Sequence, residues 1–190
     1  MGLFNLEEQL TFYGQYHNNK TNVIIHIVFV PLILWSSFVW ASNTGPLVGY
    51  DEDSLWSKTP FEPNLAFFAA LFYVCYYLLL EPIAGLIYAP VILGMAYNAT
   101  EFMKTYPGHN YLAGIVHIGS WIIQFIGHGV YEKRSPALKD NIAQALLLAP
   151  LFVWLEVLFA TGYRPALQKR VEAKVNTAIA KFRAGQMKAD

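Results

Sequence analysis

Two short stretches hold most of the residues that could do chemistry. One is YHNNKTNVIIH, residues 16–26; the other is GHGVYE, residues 127–132. The first carries His17, Asn18, Asn19, Asn22 and His26 where the chain passes from polar to apolar. The second carries His128 and, four residues on, Glu132, with Arg134 just beyond. Neutral imidazole is a common metal ligand, and an ionisable group in an apolar helix is costly enough to be a functional candidate. Histidines with an optional carboxylate and no cysteine suit Fe(II) or Zn(II) better than magnesium or calcium. Glu132 has three readings: a metal ligand, an acceptor for a ligating imidazole N–H, or a helix-end partner of Lys133 or Arg134. Arg134 either offers a bidentate fork to a substrate carboxylate or anchors a helix end at the membrane interface.

Spacing limits which histidines can share an ion. His117 and His128 are eleven residues apart, about 16 Å of rise on a helix. A ligand nitrogen must lie about 2 Å from its metal, so those two share a face but not an ion. His17 and His26 are nine apart and meet only if His17 leaves the helix. The run NNKTN permits this, because Asn and Thr favour turns and helix N-caps. Thr21 or Asn22 is expected to cap the following helix. The glycines on either side of His128 allow close approach of another backbone or of a substrate.

Five apolar stretches must position these groups: residues 23–41, 65–80, 82–99, 111–131 and 142–162. Each is near the length of about 20 residues that spans a bilayer and too uniformly apolar for a surface helix. The sequence therefore predicts an all-α polytopic membrane bundle of about five spans. Pro31, Pro90 and Pro150 should kink their spans, and Pro82 directly after Glu81 makes the second and third stretches a hairpin or a broken helix. Residues 42–64 read as a loop. From Arg164 onward, Leu167, Val171, Val175, Ala178 and Phe182 fall at helical spacing among basic residues, as in an amphipathic helix on anionic headgroups. The expected division is a catalytic bundle, 1–163, and a basic tail, 164–190. If all five stretches cross, His17, His26 and His128 come to one membrane depth. His109 opens the fourth span on the opposite side.

Composition agrees with a membrane class. Of 190 residues, 55% are hydrophobic and 14% charged, against about 25% charged in an ordinary soluble domain. Net charge is zero, which gives no case for nucleic acid. The single cysteine, Cys75, can form no intrachain disulfide. The first residues lack the basic and apolar regions of a cleavable signal peptide. GxSxG, HExxH, GxGxxG and P-loop patterns are absent, as is an HxxHH-type cluster.

YHNNKTNVIIHIVFVP, then WIIQFIGHGVYEKRSPAL, then DNIAQALLLAPLFVWLEVL together resemble one membrane family over nearly the whole chain. It is the family of Fe(II)-dependent 2-hydroxy fatty acid dioxygenases of fungi, with plant and bacterial relatives. The resemblance implies fatty acid α-oxidation in the endoplasmic reticulum, downstream of phytosphingosine breakdown. A 2-hydroxy acid and O2 would give the acid one carbon shorter and CO2. It further implies His17, His26 and His128 as iron ligands, with Asn22 and Glu132 in support; His109 and His117 are not required by the pattern. Ser135 stands where a second basic residue is common. Two other readings compete: a transporter or scaffold with structural histidines, and a zinc-dependent membrane hydrolase.

Overall fold

The computed structural model describes residues 2, 4–133 and 142–186; their regular structure is helical, with no strand among them. In chain order the helices are α1 (Leu6–Gly14), α2 (Lys20–Ser42), α3 (Leu65–Leu80), α4 (Pro82–Thr105), α5 (His109–Ile126), α6 (Ile142–Ala160) and α7 (Pro165–Gln186). A 3-10 turn, Trp56–Lys58, lies in the loop before α3, and a π-helix, Gly127–Glu132, extends α5.

Among the described residues, three segments are long and apolar enough to cross a membrane: α2, α4, and α5 with its π-extension. A fourth is α6 with α7 if that pair, bent by 117°, is one broken span. α3 is apolar throughout but has 16 residues, one turn short of a typical crossing. The expected five apolar helices are present, one of them short. Pro31, Pro90 and Pro150 lie inside α2, α4 and α6 without ending them.

The chain forms two compact units, residues 1–27 with 124–190, and residues 28–123. In the second unit α3 and α4 form a hairpin around Glu81, which closes one helix and opens the next. Pro82 suits the first turn of α4 because its missing N–H would have no intrahelical partner there. At Gly85 a methyl group would lie 2.7 Å from the Tyr77 carbonyl carbon, so the two backbones touch where a side chain cannot fit. Buried polar groups where α2, α3 and α4 meet bond one another, as a low-dielectric interior favours. Thr100 Oγ1 meets Ser42 Oγ at 3.1 Å and accepts from Asn64 Nδ2 at 3.1 Å.

In the first unit, Asn5 caps α1 by accepting from the Glu8 backbone N–H at 3.2 Å. α7 packs along α1. Leu167, Val171 and Val175 are buried, as are Leu6, Leu10 and Tyr13 on α1. Gly14 approaches the Val175 side chain closely. Glu7 pairs with Lys174 at 2.8 Å and Arg170 at 3.1 Å. Much of the apolar stripe read from the tail is thus covered by protein, while Lys169, Lys181 and Arg183 remain exposed.

Candidate metal centre

The chain leaves the helical path at residues 15–19, between α1 and α2, and His17 lies in that turn. The cap of α2 differs from the expectation. Asn19, not Thr21 or Asn22, accepts the early backbone N–H, from Thr21 at 2.9 Å. Asn22 is freed for another task because the helix begins at Lys20, two residues earlier than a Thr21 cap requires. It is fully buried, and its Nδ2 donates to the Tyr16 carbonyl at 3.4 Å and to Glu132 Oε1 at 3.2 Å.

Three imidazoles meet here. Ring centroids of His17 and His26 are 4.4 Å apart, of His17 and His128 4.8 Å, and of His26 and His128 4.9 Å, all edge to face. One ring nitrogen from each lies within 4.8 Å of the other two, a spacing within reach of a single ion. His26 and His128 are buried. His17 Nδ1 donates to the Tyr13 carbonyl at 2.9 Å, and His26 Nδ1 to the Asn22 carbonyl at 2.9 Å. A carbonyl only accepts, so both rings carry their hydrogen on Nδ1 and keep the Nε2 lone pair for a ligand. Burial, then the neighbouring His26 and His128, holds His17 well below the ordinary histidine range, so the ring is neutral, as ligation demands. His128 Nδ1 is buried with no partner among the described residues. Neutral donors, fixed tautomers and an orphaned nitrogen fit a bound transition-metal ion.

His128 belongs to the π-helix, a local widening frequent at functional sites. The widening ends at Lys133, which is left-handed (φ 54°). Gly127 is required by geometry: a methyl group there would collide with the Asn22 side-chain oxygen. Glu132 takes none of its three sequence readings in the described contacts. Its Oε1 accepts from the backbone N–H of Asn18 at 2.7 Å and of Asn19 at 2.6 Å, besides Asn22. It therefore ties the His17 turn and the start of α2 to the end of the π-helix. Arg134 lies outside the described residues.

His109 and His117 belong to the second unit, and protein groups occupy both ring nitrogens of each. His117 Nδ1 meets Ser36 Oγ at 2.9 Å, and its Nε2 accepts from Trp121 Nε1 at 3.0 Å. His109 bonds the Tyr106 carbonyl at 2.8 Å and Asn43 Oδ1 at 3.0 Å. Two further buried residues, each four positions before a histidine of the cluster, escaped the motif reading. Tyr13 stacks on His17, with centroids 3.9 Å apart and planes at 11°, and burial pushes its phenol well above the usual range. Gln124, one turn before His128, is buried. Their spacing of four from a histidine was the available signal. A cavity of about 510 Å3 reaches His17 and is lined by Val23, Ile24, Ile27 and Phe159, with Lys20 and Glu156 among its charged groups.

Fold and site define a class: an all-helical protein with apolar helices of membrane length and a buried three-histidine cluster able to hold a metal ion. Within that class the chain belongs to the 2-hydroxy-palmitic acid dioxygenase Mpo1-like family, whose sequence profile matches residues 3–161. The 2-hydroxy-palmitic acid dioxygenase MPO1 of Saccharomyces cerevisiae is 36% identical over 171 residues, covering 90% of each chain. No solved structure matches the present chain. Membership makes the chain an enzyme, a dioxygenase, rather than a transporter or scaffold.

Proposed function

We propose that this enzyme uses O2 to shorten 2-hydroxy long-chain fatty acids by one carbon, with Fe(II) held by His17, His26 and His128. The reaction is R–CH(OH)–COOH + O2 → R–COOH + CO2 + H2O. The substrate itself supplies all four electrons that reduce O2, so no external reductant is needed. In this reading the enzyme acts at the endoplasmic reticulum membrane in the α-oxidation that follows phytosphingosine breakdown. Residues 1–163 carry catalysis, and the exposed basic side chains of 164–190 face anionic headgroups.

The observation that carries the reading is the convergence of three histidines from three separate segments. Bound iron supplies Lewis acidity toward an α-hydroxy acid and the one-electron chemistry that O2 requires. The chain's own groups prepare the rest. The Tyr13 and Asn22 carbonyls orient two rings, Glu132 holds the turn that carries a third of the cluster, and burial keeps bulk water from it. The apolar cavity wall beside His17 accepts the acyl chain, where each buried CH2 contributes about 0.8 kcal/mol. Arg134, two residues beyond Glu132, offers its guanidinium to the substrate carboxylate.

Purified protein incubated with 2-hydroxyhexadecanoic acid, Fe(II) and O2 should yield pentadecanoic acid and CO2. A chelator should abolish both products, and Zn(II) should not replace Fe(II). Absence of the odd-chain acid from iron-loaded protein would overturn the proposal.

A further inference from the structure

Among the described residues, four buried side-chain polar atoms have no hydrogen-bond partner: Tyr13 Oη, Asn22 Oδ1, Gln124 Nε2 and His128 Nδ1. They are not scattered. Tyr13, Asn22 and Gln124 lie four residues before His17, His26 and His128 respectively. Asn22 and His26 share one face of α2, and the Asn22 carbonyl bonds the His26 ring. Tyr13 is stacked on His17. All three side chains are more than nine-tenths buried, with exposures of 7%, 0% and 5%.

Buried polar groups in native proteins are almost always paired. Orphans gathered around one centre therefore describe a missing polar guest. Their chemistry specifies it. A phenol O–H and a carboxamide N–H donate, while the Asn22 carbonyl oxygen accepts. The guest must present acceptors and a donor on adjacent atoms. An α-hydroxy acid does so: its carboxylate accepts and its 2-hydroxyl donates.

We propose that Tyr13 and Gln124 are substrate-binding residues that donate hydrogen bonds to the carboxylate of the 2-hydroxy acid, while Asn22 Oδ1 accepts from its 2-hydroxyl. This rests on the dioxygenase reading above. It also explains selection for the hydroxylated acid, because a plain fatty acid leaves Asn22 Oδ1 buried and unpaired. Asn22 also bonds Glu132, so Tyr13 and Gln124 are the cleaner probes.

The test uses iron-loaded full-length protein, with Tyr13→Phe and Gln124→Met compared against the unaltered chain. Tyr13→Phe keeps the ring stack, and Gln124→Met keeps the side-chain length. Three quantities are read: iron content, unfolding temperature without substrate, and affinity for 2-hydroxyhexadecanoic acid under anaerobic conditions. Iron content should be unchanged. The unfolding temperature of Tyr13→Phe should not fall, since the one polar atom removed is unpaired. Affinity for the 2-hydroxy acid should drop about tenfold or more in each variant, the scale of one hydrogen bond to a charged group. Unchanged affinity overturns the proposal, as does a lowered unfolding temperature with unchanged affinity, which marks a purely internal role. Loss of iron in both variants also overturns it, by assigning them to support of the metal. If the unaltered chain itself fails to bind the 2-hydroxy acid, the dioxygenase reading falls, and this proposal with it.

Discussion

Glu132 accepts a hydrogen bond from the Asn22 carboxamide at 3.2 Å across 110 residues of sequence. The same carboxylate oxygen also receives the backbone N–H groups of Asn18 and Asn19. One side chain thus joins the turn bearing His17, the helix bearing His26 and the π-helix bearing His128.

Glu132→Ala should remove that joint. A hydrogen bond to a charged group contributes about 1.5–3 kcal/mol, less where water can replace it, as at the exposed Asn18. We expect a net loss of about 1–3 kcal/mol in thermal unfolding, together with weakened iron binding. Glu132→Gln should recover part of both, because its side-chain oxygen still accepts. Full iron binding by Glu132→Ala would remove Glu132 from the support of the centre.

The histidines separate into two groups that metal analysis can distinguish. His17→Ala, His26→Ala and His128→Ala should each abolish stoichiometric iron binding and turnover. His117→Ala should keep its iron, because Ser36 and Trp121 occupy both of its ring nitrogens. Iron retained by any of the first three variants would exclude that residue as an essential ligand.

Gly127 and Gly129 flank His128 but should respond differently to a methyl group. At Gly127 it meets the Asn22 side chain and lies 3.4 Å from Ile25 Cδ1, whereas at Gly129 nothing stands within 4 Å. Gly127→Ala should cost about 1–3 kcal/mol, the scale of core overpacking, and lower iron occupancy. Gly129→Ala should be near neutral in the same unfolding experiment.

The contact between α1 and α7 should depend on pH. Lys174, then Arg170, holds the Glu7 carboxyl below its ordinary value of 4.5. A depressed carboxylate pKa contributes stability above the ordinary value, and that contribution is lost as pH falls through the lowered one. Glu7→Gln should therefore unfold at a lower temperature than the unaltered chain at neutral pH. The difference should shrink with added salt and vanish once acid protonates Glu7. A difference that persists in strong acid would show that the ion pairs are not its cause.

The residues alone determined the helical class, the apolar spans and the pairing of YHNNKTNVIIH with GHGVYE, because hydrophobic length and the cost of burying imidazole are properties of local sequence. They also required His17 to leave its helix, since rise per residue is the same in every α-helix. Tertiary structure decided what depends on partners distant in sequence. It gave the cap of α2 to Asn19, turned Glu132 into an acceptor of backbone N–H groups, and chose the tautomers of His17 and His26 through particular carbonyls. It also covered much of the tail's apolar stripe with α1, where periodicity had suggested only lipid headgroups. A spacing of four shows which side chains share a helix face. Which of them stays unpaired depends on the packed interior, and that is why Tyr13 and Gln124 emerged only once the helices were assembled.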